Sequence, residues 1–395
     1  MVVCCYEDRV SELLGVKLLV CSLRRNLPDV RIHLCMPGAP PEFERWATAH
    51  PNVELDRTAD PYLKGWNAKP SLLLRMLEAG HDQAIWLDSD LIVAGDFRRL
   101  LADDASLVST EELDRDPVKS TRLRTAAWEL PIGRPLPYLL NSAFVRVLPS
   151  HREVLTEWGR LMRTPEYQAA QKMPLGTRPI HMIGDQDVLT ALMGAQAFAG
   201  VPLRVLRRGR EIIHDPEGGY HPVDRIANAF GREPILVHAQ SGRPWRFPQP
   251  ASPRAGWTRY RNFLHVETSP YGHHARKYRD QLGEDAGFLE VRSLYGKAAW
   301  ALTLGNPHLP GLLQAFATIA NANVHHTLGL VQRAAGLAKR LGGRVARAVA
   351  PAASGRKRPL RSRQRSAMIV DAVLAEHASG ERTAGMTATD EHARP

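Results

Sequence analysis

Cysteine is scarce in this chain of 395 residues: Cys4, Cys5, Cys21 and Cys35 are the four cysteines. Neighbouring cysteines such as the first two rarely pair with each other, and none of the four has the Cys-x-x-Cys spacing typical of zinc ligands. We therefore expect neither a disulfide framework nor a structural zinc site. The pattern predicts buried, reduced thiols of the kind found in cytoplasmic proteins.

Long apolar runs are also missing. The stretch 298–320 comes nearest to the roughly 20 apolar residues of a membrane span, but polar residues and two prolines interrupt it between 306 and 310. The apolar N-terminal run meets three charged residues at 7–9 before it reaches the usual length of a signal peptide. We therefore expect a cytoplasmic protein, either free or peripherally bound to the inner membrane surface.

Acidic residues are absent from one long segment, residues 291–370, which holds 13 lysines and arginines. Residues 1–290 carry 37 basic and 36 acidic side chains, so the formal charge of +11 belongs to that segment. From residue 312 onward, apolar residues recur at helical spacing beside arginines, which predicts a basic amphipathic helix. We expect residues 312–365 to bind an anionic membrane surface.

Two other interpretations of this basic segment stay open. Basic runs bind nucleic acid through its phosphates, with an affinity that depends on salt. Here the basic residues are confined to an appendage that is poor in aromatic residues, so nucleic acid is the less favoured partner. The segment is also compatible with a solvated tail that has no partner.

The first hundred residues alternate short apolar runs with amphipathic segments of helix length, as in a parallel sheet with crossover helices. The pattern predicts an α/β fold with a mostly parallel, Rossmann-like sheet flanked by helices. The predicted strands lie at residues 1–5, 30–35, 84–87, 139–147 and 235–238, and the predicted helices at 10–23, 70–78, 153–162 and 185–193.

The remaining segments give the predicted domain organisation. Residues 100–139 are charged and rich in proline, and we interpret them as a connecting excursion outside the core. Residues 1–260 form one predicted domain. Residues 261–350 form a helical C-terminal extension that contains the basic amphipathic helix, and residues 351–395 are expected to be a disordered tail.

Two carboxylates one residue apart follow an apolar strand in the sequence Ile85-Trp86-Leu87-Asp88-Ser89-Asp90. Ligands bind at the carboxyl ends of strands in open parallel sheets, where these carboxylates are expected to lie. Carboxylate oxygens bind Mg²⁺ and Mn²⁺, and a cation held there can bridge a diphosphate. An Asp-x-Asp spacing alone is weak evidence. Another one, at 114 and 116, lies in a charged loop and is expected to be a solvated turn.

Residues 65–97, which contain this Asp-x-Asp, resemble the corresponding segment of GT-A glycosyltransferases. The closest resemblance is to glycosyltransferase family eight, which includes glycogenin and bacterial lipooligosaccharide galactosyltransferases. The resemblance covers about residues 1–250 and rests on several weak motifs that occur in the order of the family. It implies a GT-A fold and transfer of a sugar from a nucleotide diphosphate sugar.

Two of these motifs concern the donor sugar. The strand Leu139–Val147 contains Asn-Ser-Ala-Phe, similar to the Asn-Ser-Gly-Phe strand of the family, which implies that Asn141 lines the donor sugar site. The segment that opens at Gly184 is similar to the Asp-Gln-Asp segment of the family. It implies that Asp185 holds hydroxyls of the sugar and that Gln186 lies near the anomeric carbon. A first-turn acid that favours the helix dipole is the alternative for Asp185.

The last motif starts at His238 and is similar to the family's His-x-x-Gly-x-x-Lys-Pro-Trp, although it is one residue shorter. It implies that His238 is the third metal ligand and that Arg243, in place of the lysine, contacts phosphate. The resemblance also suggests that Tyr6 stacks on the base and that Lys69 meets the diphosphate. The complete expectation is catalytic Asp185 and Gln186; donor-binding Tyr6, Lys69, Asp88, Ser89, Asn141, Gly242 and Arg243; and metal-binding Asp88, Asp90 and His238.

The predicted function is therefore a glycosyltransferase that depends on Mn²⁺ or Mg²⁺ and, by resemblance, retains anomeric configuration. The donor implied by the resemblance is a UDP-sugar, and the expected acceptor is a glycan or a lipid-linked molecule. A protein that binds nucleotide sugars without turnover is an alternative, because Ala143 and Arg243 depart from the family pattern. A phosphatase of the haloacid-dehalogenase type is disfavoured by Ile92 and Leu189, which occupy positions that its motifs assign to other residues.

Overall fold

The computed structural model describes residues 1–58, 60, 64–101, 105–114, 116–215, 221–231, 234–240, 243–246 and 257–316, with only the backbone at 257–259, 261 and 262. Gly242 and almost all of the basic segment 312–365 lie outside the described residues, as does the tail 351–395. The described residues form a mixed α/β fold, as the sequence predicts.

The strands fall into two sheets. In chain order they are β1 (Val2–Tyr6), β2 (Arg31–Cys35), β3 (Val53–Asp56), β4 (Ala84–Leu87), β5 (Leu91–Val93), β6 (Leu107–Glu112), β7 (Leu139–Val147), β8 (Leu203–Leu206), β9 (Ile212–His214) and β10 (Leu236–His238). Seven of them form the large sheet in the order β3-β2-β1-β4-β7-β6-β8, and the other three form a small sheet in the order β5-β10-β9.

The helices surround these sheets. They are α1 (Leu13–Asn26), α2 (Pro41–Thr48), α3 (Lys69–Glu78), α4 (Pro117–Ala127), α5 (Arg152–Met162), α6 (Pro165–Gln171), α7 (Asp185–Gly194), α8 (Pro222–Ala229), α9 (Trp257–Glu267), α10 (Pro270–Arg276), α11 (Arg279–Leu282) and α12 (Leu294–Leu302). Short 3-10 turns precede several of them, including Val10–Glu12 before α1 and Gly65–Ala68 before α3.

The large sheet is mostly parallel. β1 pairs in parallel with both β2 and β4, β2 pairs in parallel with β3, and β6 pairs in parallel with β8, whereas β7 runs antiparallel to its neighbours β4 and β6. From β1 the chain first adds β2 and β3 on one side of the sheet, and then adds β4 and the later strands on the other side. Such a switch point opens a crevice at the carboxyl ends of the strands, where ligands bind.

Each face of the large sheet has its own apolar core, because consecutive side chains of a strand point to opposite faces. On β4, Trp86 packs in the core that contains Trp158 of α5, and Ile85 packs in the core that contains Leu19 of α1 and Phe43 of α2. Burying one such side chain contributes roughly 2–3 kcal/mol. β4 is therefore packed on both faces directly before the turn that carries Asp88 and Asp90.

The C-terminal helices cover the small sheet. Tyr271, Tyr278 and Leu282 of this region pack against Ile92 of β5 and Leu18 of α1 in a third core. The predicted domains, including the C-terminal extension over residues 261–350, stay predictions. Within the described residues, no helix is long and apolar enough to cross a membrane. All four cysteines are free and buried, as predicted.

The interpretation of residues 100–139 as an excursion outside the core is wrong. β6 lies between β7 and β8 in the large sheet, and its residues Leu107 and Val108 are fully buried. α4 packs on α7, where the Thr125 hydroxyl donates a hydrogen bond to the Ala191 carbonyl at 2.9 Å. The charges misled the prediction because they belong to the connection between these two elements. There, Asp116 accepts a hydrogen bond from the Lys119 backbone N–H at the start of α4.

Candidate metal centre and active site

Asp88 and Asp90 lie in the turn that joins the large sheet to the small one. β4 ends at Leu87, the Asp88 N–H donates to the Ala143 carbonyl of β7, and the Leu91 N–H closes the turn on the Asp88 carbonyl. The Asp90 side chain is buried, and that of Asp88 is 24% exposed. The strand end therefore presents one carboxylate to the crevice and one to the interior.

β10 brings His238 to these carboxylates. It pairs antiparallel with β5, so that His238 lies opposite Leu91. The imidazole Nε2 lies 3.2 Å from Asp90 Oδ1 and 3.8 Å from Asp88 Oδ2. One ligand atom from each of the three side chains lies within 4.8 Å of the others. Two carboxylates and one imidazole are a donor set that suits Mg²⁺ or Mn²⁺, so these residues fit the cation that the sequence implies.

Opposite charges hold this cluster together. Burial raises the pKa of Asp90, but the His238 ring and the Arg243 guanidinium outweigh that effect and bring the pKa down to about 2. Burial lowers the pKa of His238, but Asp90 and Asp88 outweigh it and raise the pKa above its usual range. Asp90 is thus ionised at any ordinary pH, and a bound cation would add to the opposite charge that neighbouring groups supply to it.

A second histidine supports the first from behind. His214 of β9 is buried, and its Nδ1 lies 2.9 Å from Nδ1 of His238. Burial, with the neighbouring His238 second, holds the pKa of His214 well below its usual range, so this ring is neutral. The contact occupies Nδ1 of His238 and leaves Nε2 facing the carboxylates, as a metal ligand requires.

Lys69 and Asp185 form the deeper half of the site. The Lys69 ammonium at the start of α3 is buried and lies 3.1 Å from both Asp88 Oδ1 and Asp185 Oδ2. The Ser142 hydroxyl of β7 accepts from Lys69 at 2.7 Å and donates to Asp185 Oδ2 at 2.6 Å. Burial raises the pKa of Asp185, although Lys69 opposes that shift. Lys69 therefore links the metal-site carboxylate to the predicted sugar-binding carboxylate.

Two other residues are predicted to face the donor sugar, Gln186 and Asn141. Gln186 follows Asp185 in α7 and is half-buried. Asn141 is buried one residue before Ser142, and its amide donates to Glu112 Oε2 at 2.7 Å. Glu112, at the end of β6, also accepts from Gln240 at 2.9 Å, which places a further carboxylate between the predicted sugar residue and the segment after His238.

The predicted phosphate contact, Arg243, lies on the other side of the candidate metal ligands Asp88, Asp90 and His238, which we call the metal cluster. Its Nη2 is 3.3 Å from Asp90 Oδ2, and its Nε is 2.6 Å from Glu12 Oε2. Ser89, between the two aspartates, donates to the buried Glu7 at 2.7 Å. Arg243 is therefore close enough to the metal cluster to meet a phosphate that a cation there would hold.

Tyr6 lies at the end of β1, next to a cavity of about 210 Å³ between α3 and the ends of the first strands. Its ring is buried, and its hydroxyl lies 3.4 Å from Asp8 Oδ2. Cys35, Asp60, Ser71 and Arg75 also line the cavity. Stacking of Tyr6 on a base stays a prediction.

No protein-family model matches the chain, and no curated protein matches it. Solved structures of glycosyltransferases are similar to it in fold. Galactosyltransferase LgtC, solved with donor and acceptor sugar analogues, has a TM-score of 0.39 and 15% identity over 67% of this chain and 95% of its own. The glycosyltransferase GlyE of Streptococcus pneumoniae has a TM-score of 0.39 and 14% identity over 71% of this chain and 63% of its own. At such low identities and TM-scores, the side chains of the site rather than these matches must carry the functional conclusion.

The sequence analysis missed several charged side chains of this site. Glu7, Glu12 and Glu112 contact predicted residues, yet each looks like an ordinary surface charge in the sequence. The short spacing of Glu7 and Glu12 after the first apolar strand was the available signal, because that loop borders the carboxyl edge of the sheet. Their burial depends on contacts with distant segments.

Proposed function

We propose that this protein is a divalent-metal-dependent glycosyltransferase that takes its sugar from a nucleotide diphosphate sugar. The observation that carries the proposal is the convergence of Asp88, Asp90 and His238 beside two further groups. On one side lies a buried lysine–carboxylate pair, Lys69 with Asp185, and on the other a guanidinium, Arg243. A metal site flanked by a sugar-binding carboxylate and a phosphate-binding cation suits a diphosphate-linked sugar.

The chemistry divides between the two sides of the cluster. A divalent cation bound at Asp88, Asp90 and His238 supplies Lewis-acid stabilisation of the departing diphosphate. Arg243 donates N–H groups to the same phosphates, since a guanidinium matches phosphate geometry. Asp185, oriented by Lys69 and Ser142, accepts hydrogen bonds from sugar hydroxyls and stabilises positive charge that develops at the anomeric carbon.

The finer parts of the proposal rest on the sequence resemblance. They are a uridine diphosphate carrier, Mn²⁺ as the favoured cation, retention of configuration, and roles for Tyr6, Ser89, Gly242 and Gln186 in donor binding or catalysis. The proposed acceptor is a glycan or a lipid-linked molecule.

The decisive experiment measures Mn²⁺-dependent release of nucleoside diphosphate from a panel of nucleotide sugars. We expect slow hydrolysis of one donor, lost with chelator and in Asp90→Asn. Asp116→Asn, which alters the other turn Asp-x-Asp, is the matched control and should keep full activity. Binding of one donor with no release would favour the alternative of a nucleotide-sugar-binding protein without turnover. Neither binding nor release of any donor would refute the proposal.

We also propose that residues 312–365 bind an anionic membrane surface and bring the site to lipid-linked acceptors. Support comes from the excess of positive charge in this part of the sequence. The full chain should cosediment with vesicles containing phosphatidylglycerol, and a chain that ends at Gly311 should not. Equal binding by both chains would exclude this segment as the membrane contact. Binding of DNA but not of vesicles would favour the nucleic-acid alternative.

A further inference from the structure

Two more arginines lie close to Arg243 and the metal cluster. Arg9 follows β1, and Arg246 lies three residues after Arg243 in the 3-10 turn Pro244–Arg246. The side chains of Arg9, Arg243 and Arg246 are 39%, 20% and 44% exposed, so each of them is partly accessible to a ligand. We call these three side chains the arginine cluster.

Buried carboxylates hold the arginine cluster in place. Glu7 accepts from Arg9 Nε at 2.7 Å and from Arg9 Nη2 at 2.9 Å, while its Oε2 also accepts from Ser89 between the two aspartates. Glu12 is completely buried and pairs with both Arg243 and Arg246. A buried carboxylate must be paired, which explains one arginine for each glutamate but not the third.

The arginine cluster also faces the candidate metal ligands. Arg243 Nη2 lies 3.3 Å from Asp90 Oδ2, and Arg9 interacts electrostatically with Asp90 as well as with Asp8. A cation held by Asp88, Asp90 and His238 would compete with Arg243 for Asp90 and leave this guanidinium available to an anion. An anion that meets both the cation and the guanidiniums suits this arrangement.

The hydrogen-bond donors of the arginine cluster also favour an anionic ligand. A guanidinium carries five N–H donors. In all three arginines the terminal nitrogen Nη1 makes no hydrogen bond within the described part of the chain, whereas Nη2 has a polar partner. Planar pairs of N–H groups match phosphate oxygens in a bidentate manner. The arginine cluster thus offers several unused donors around the metal carboxylates.

We propose that Arg9 and Arg246, together with Arg243, bind the diphosphate of the donor, so that three guanidiniums rather than one meet its two phosphates. This inference rests on the proposed function and deepens it.

The test uses the full chain and inorganic pyrophosphate with Mg²⁺, which probes the diphosphate site without a base or a sugar. Calorimetric titration should give an affinity that falls about tenfold in Arg9→Ala and in Arg246→Ala, the loss typical of one charge-assisted hydrogen bond. Arg160→Ala is the matched control. Arg160 is an exposed arginine on α5 that pairs with Glu157. Its replacement should leave the affinity for pyrophosphate unchanged.

The outcomes separate this inference from the proposed function. Unchanged affinity in both variants, with binding lost in Asp90→Asn, would overturn the arginine assignment and leave the metal-dependent function intact. A loss confined to one variant would overturn the assignment of the other arginine. An unaltered protein that does not bind pyrophosphate would overturn the inference outright, and donor turnover would then decide the proposed function independently.

Discussion

Replacing Lys69 with methionine should destabilise the fold and, at the same time, increase the stabilising effect of a divalent cation. Methionine keeps an apolar, unbranched side chain but lacks the ammonium that lies 3.1 Å from both Asp88 and Asp185. Burial lowers the pKa of Lys69, but the two carboxylates raise it above its usual range, so the charge is present at neutral pH. The substitution therefore leaves two carboxylates without their shared counter-charge.

The expected cost follows from the burial of the pair. Removing one partner of a buried ion pair typically costs about 3–5 kcal/mol, because an uncompensated charge stays behind. For a domain of this size, such a loss corresponds to a fall of roughly 10 °C in the unfolding midpoint. A divalent cation at Asp88 supplies part of the missing charge, so added Mg²⁺ should stabilise the variant more than the unaltered protein.

Denaturant unfolding with chelator and with Mg²⁺ measures both effects. Lys17→Met is the matched control, because Lys17 pairs with the half-exposed Asp285 at 2.8 Å. Its loss should cost less than about 1 kcal/mol and leave the response to Mg²⁺ unchanged. A Lys69→Met protein as stable as the unaltered one, or equally stabilised by Mg²⁺, would refute the electrostatic account of this half of the site.

Two further substitutions test the packing and the electrostatics around the site. Gly15→Ala would place its Cβ 2.7 Å from the Ser89 carbonyl and 2.9 Å from the Trp245 ring, so denaturant titration should find it about 1–3 kcal/mol less stable. Gly176→Ala, with nothing within 4 Å, is its control, and equal stability of the two would contradict the tight contact. Burial raises the pKa of Asp187 to about 6 despite the Arg124 guanidinium. The stabilisation of the fold by the protonated carboxyl is therefore complete below the unfolded-state pKa and is lost as pH rises through about 6. The unfolding free energy relative to Asp187→Asn should therefore fall by about 2 kcal/mol between pH ~4 and pH ~7, and a pH-independent difference would refute the shift.

Sequence patterns were sufficient for five of the ten strands, among them β1, β2, β4 and β7 of the large sheet, and for placing Asp88 and Asp90 at a strand end. The run from Ile85 to Leu87 is apolar throughout, so a buried strand that ends in Asp88 and Asp90 follows from its composition. His238 required the family resemblance, because its position depends on the antiparallel pairing of β10 with β5. No local pattern specifies which distant strand will pair.

Burial of charge was the main feature that the sequence did not reveal. Glu12 is completely buried because Arg243 and Arg246 return to it from a distant turn, and nothing near Glu12 in the sequence indicates that contact. β6 was missed for a related reason, since its short apolar part continues directly into the charged turn before α4. In both cases a tertiary contact overrides the local preference for solvent.

Direct titration of Mn²⁺ by electron paramagnetic resonance, without any nucleotide, would test the central claim of a metal site at Asp88, Asp90 and His238 most directly. We expect one bound ion in the unaltered protein, weakened binding in His238→Ala, binding lost in Asp90→Asn, and binding retained in Asp116→Asn. Mn²⁺ binding that is unchanged in both His238→Ala and Asp90→Asn, or absent from the unaltered protein, would contradict the account.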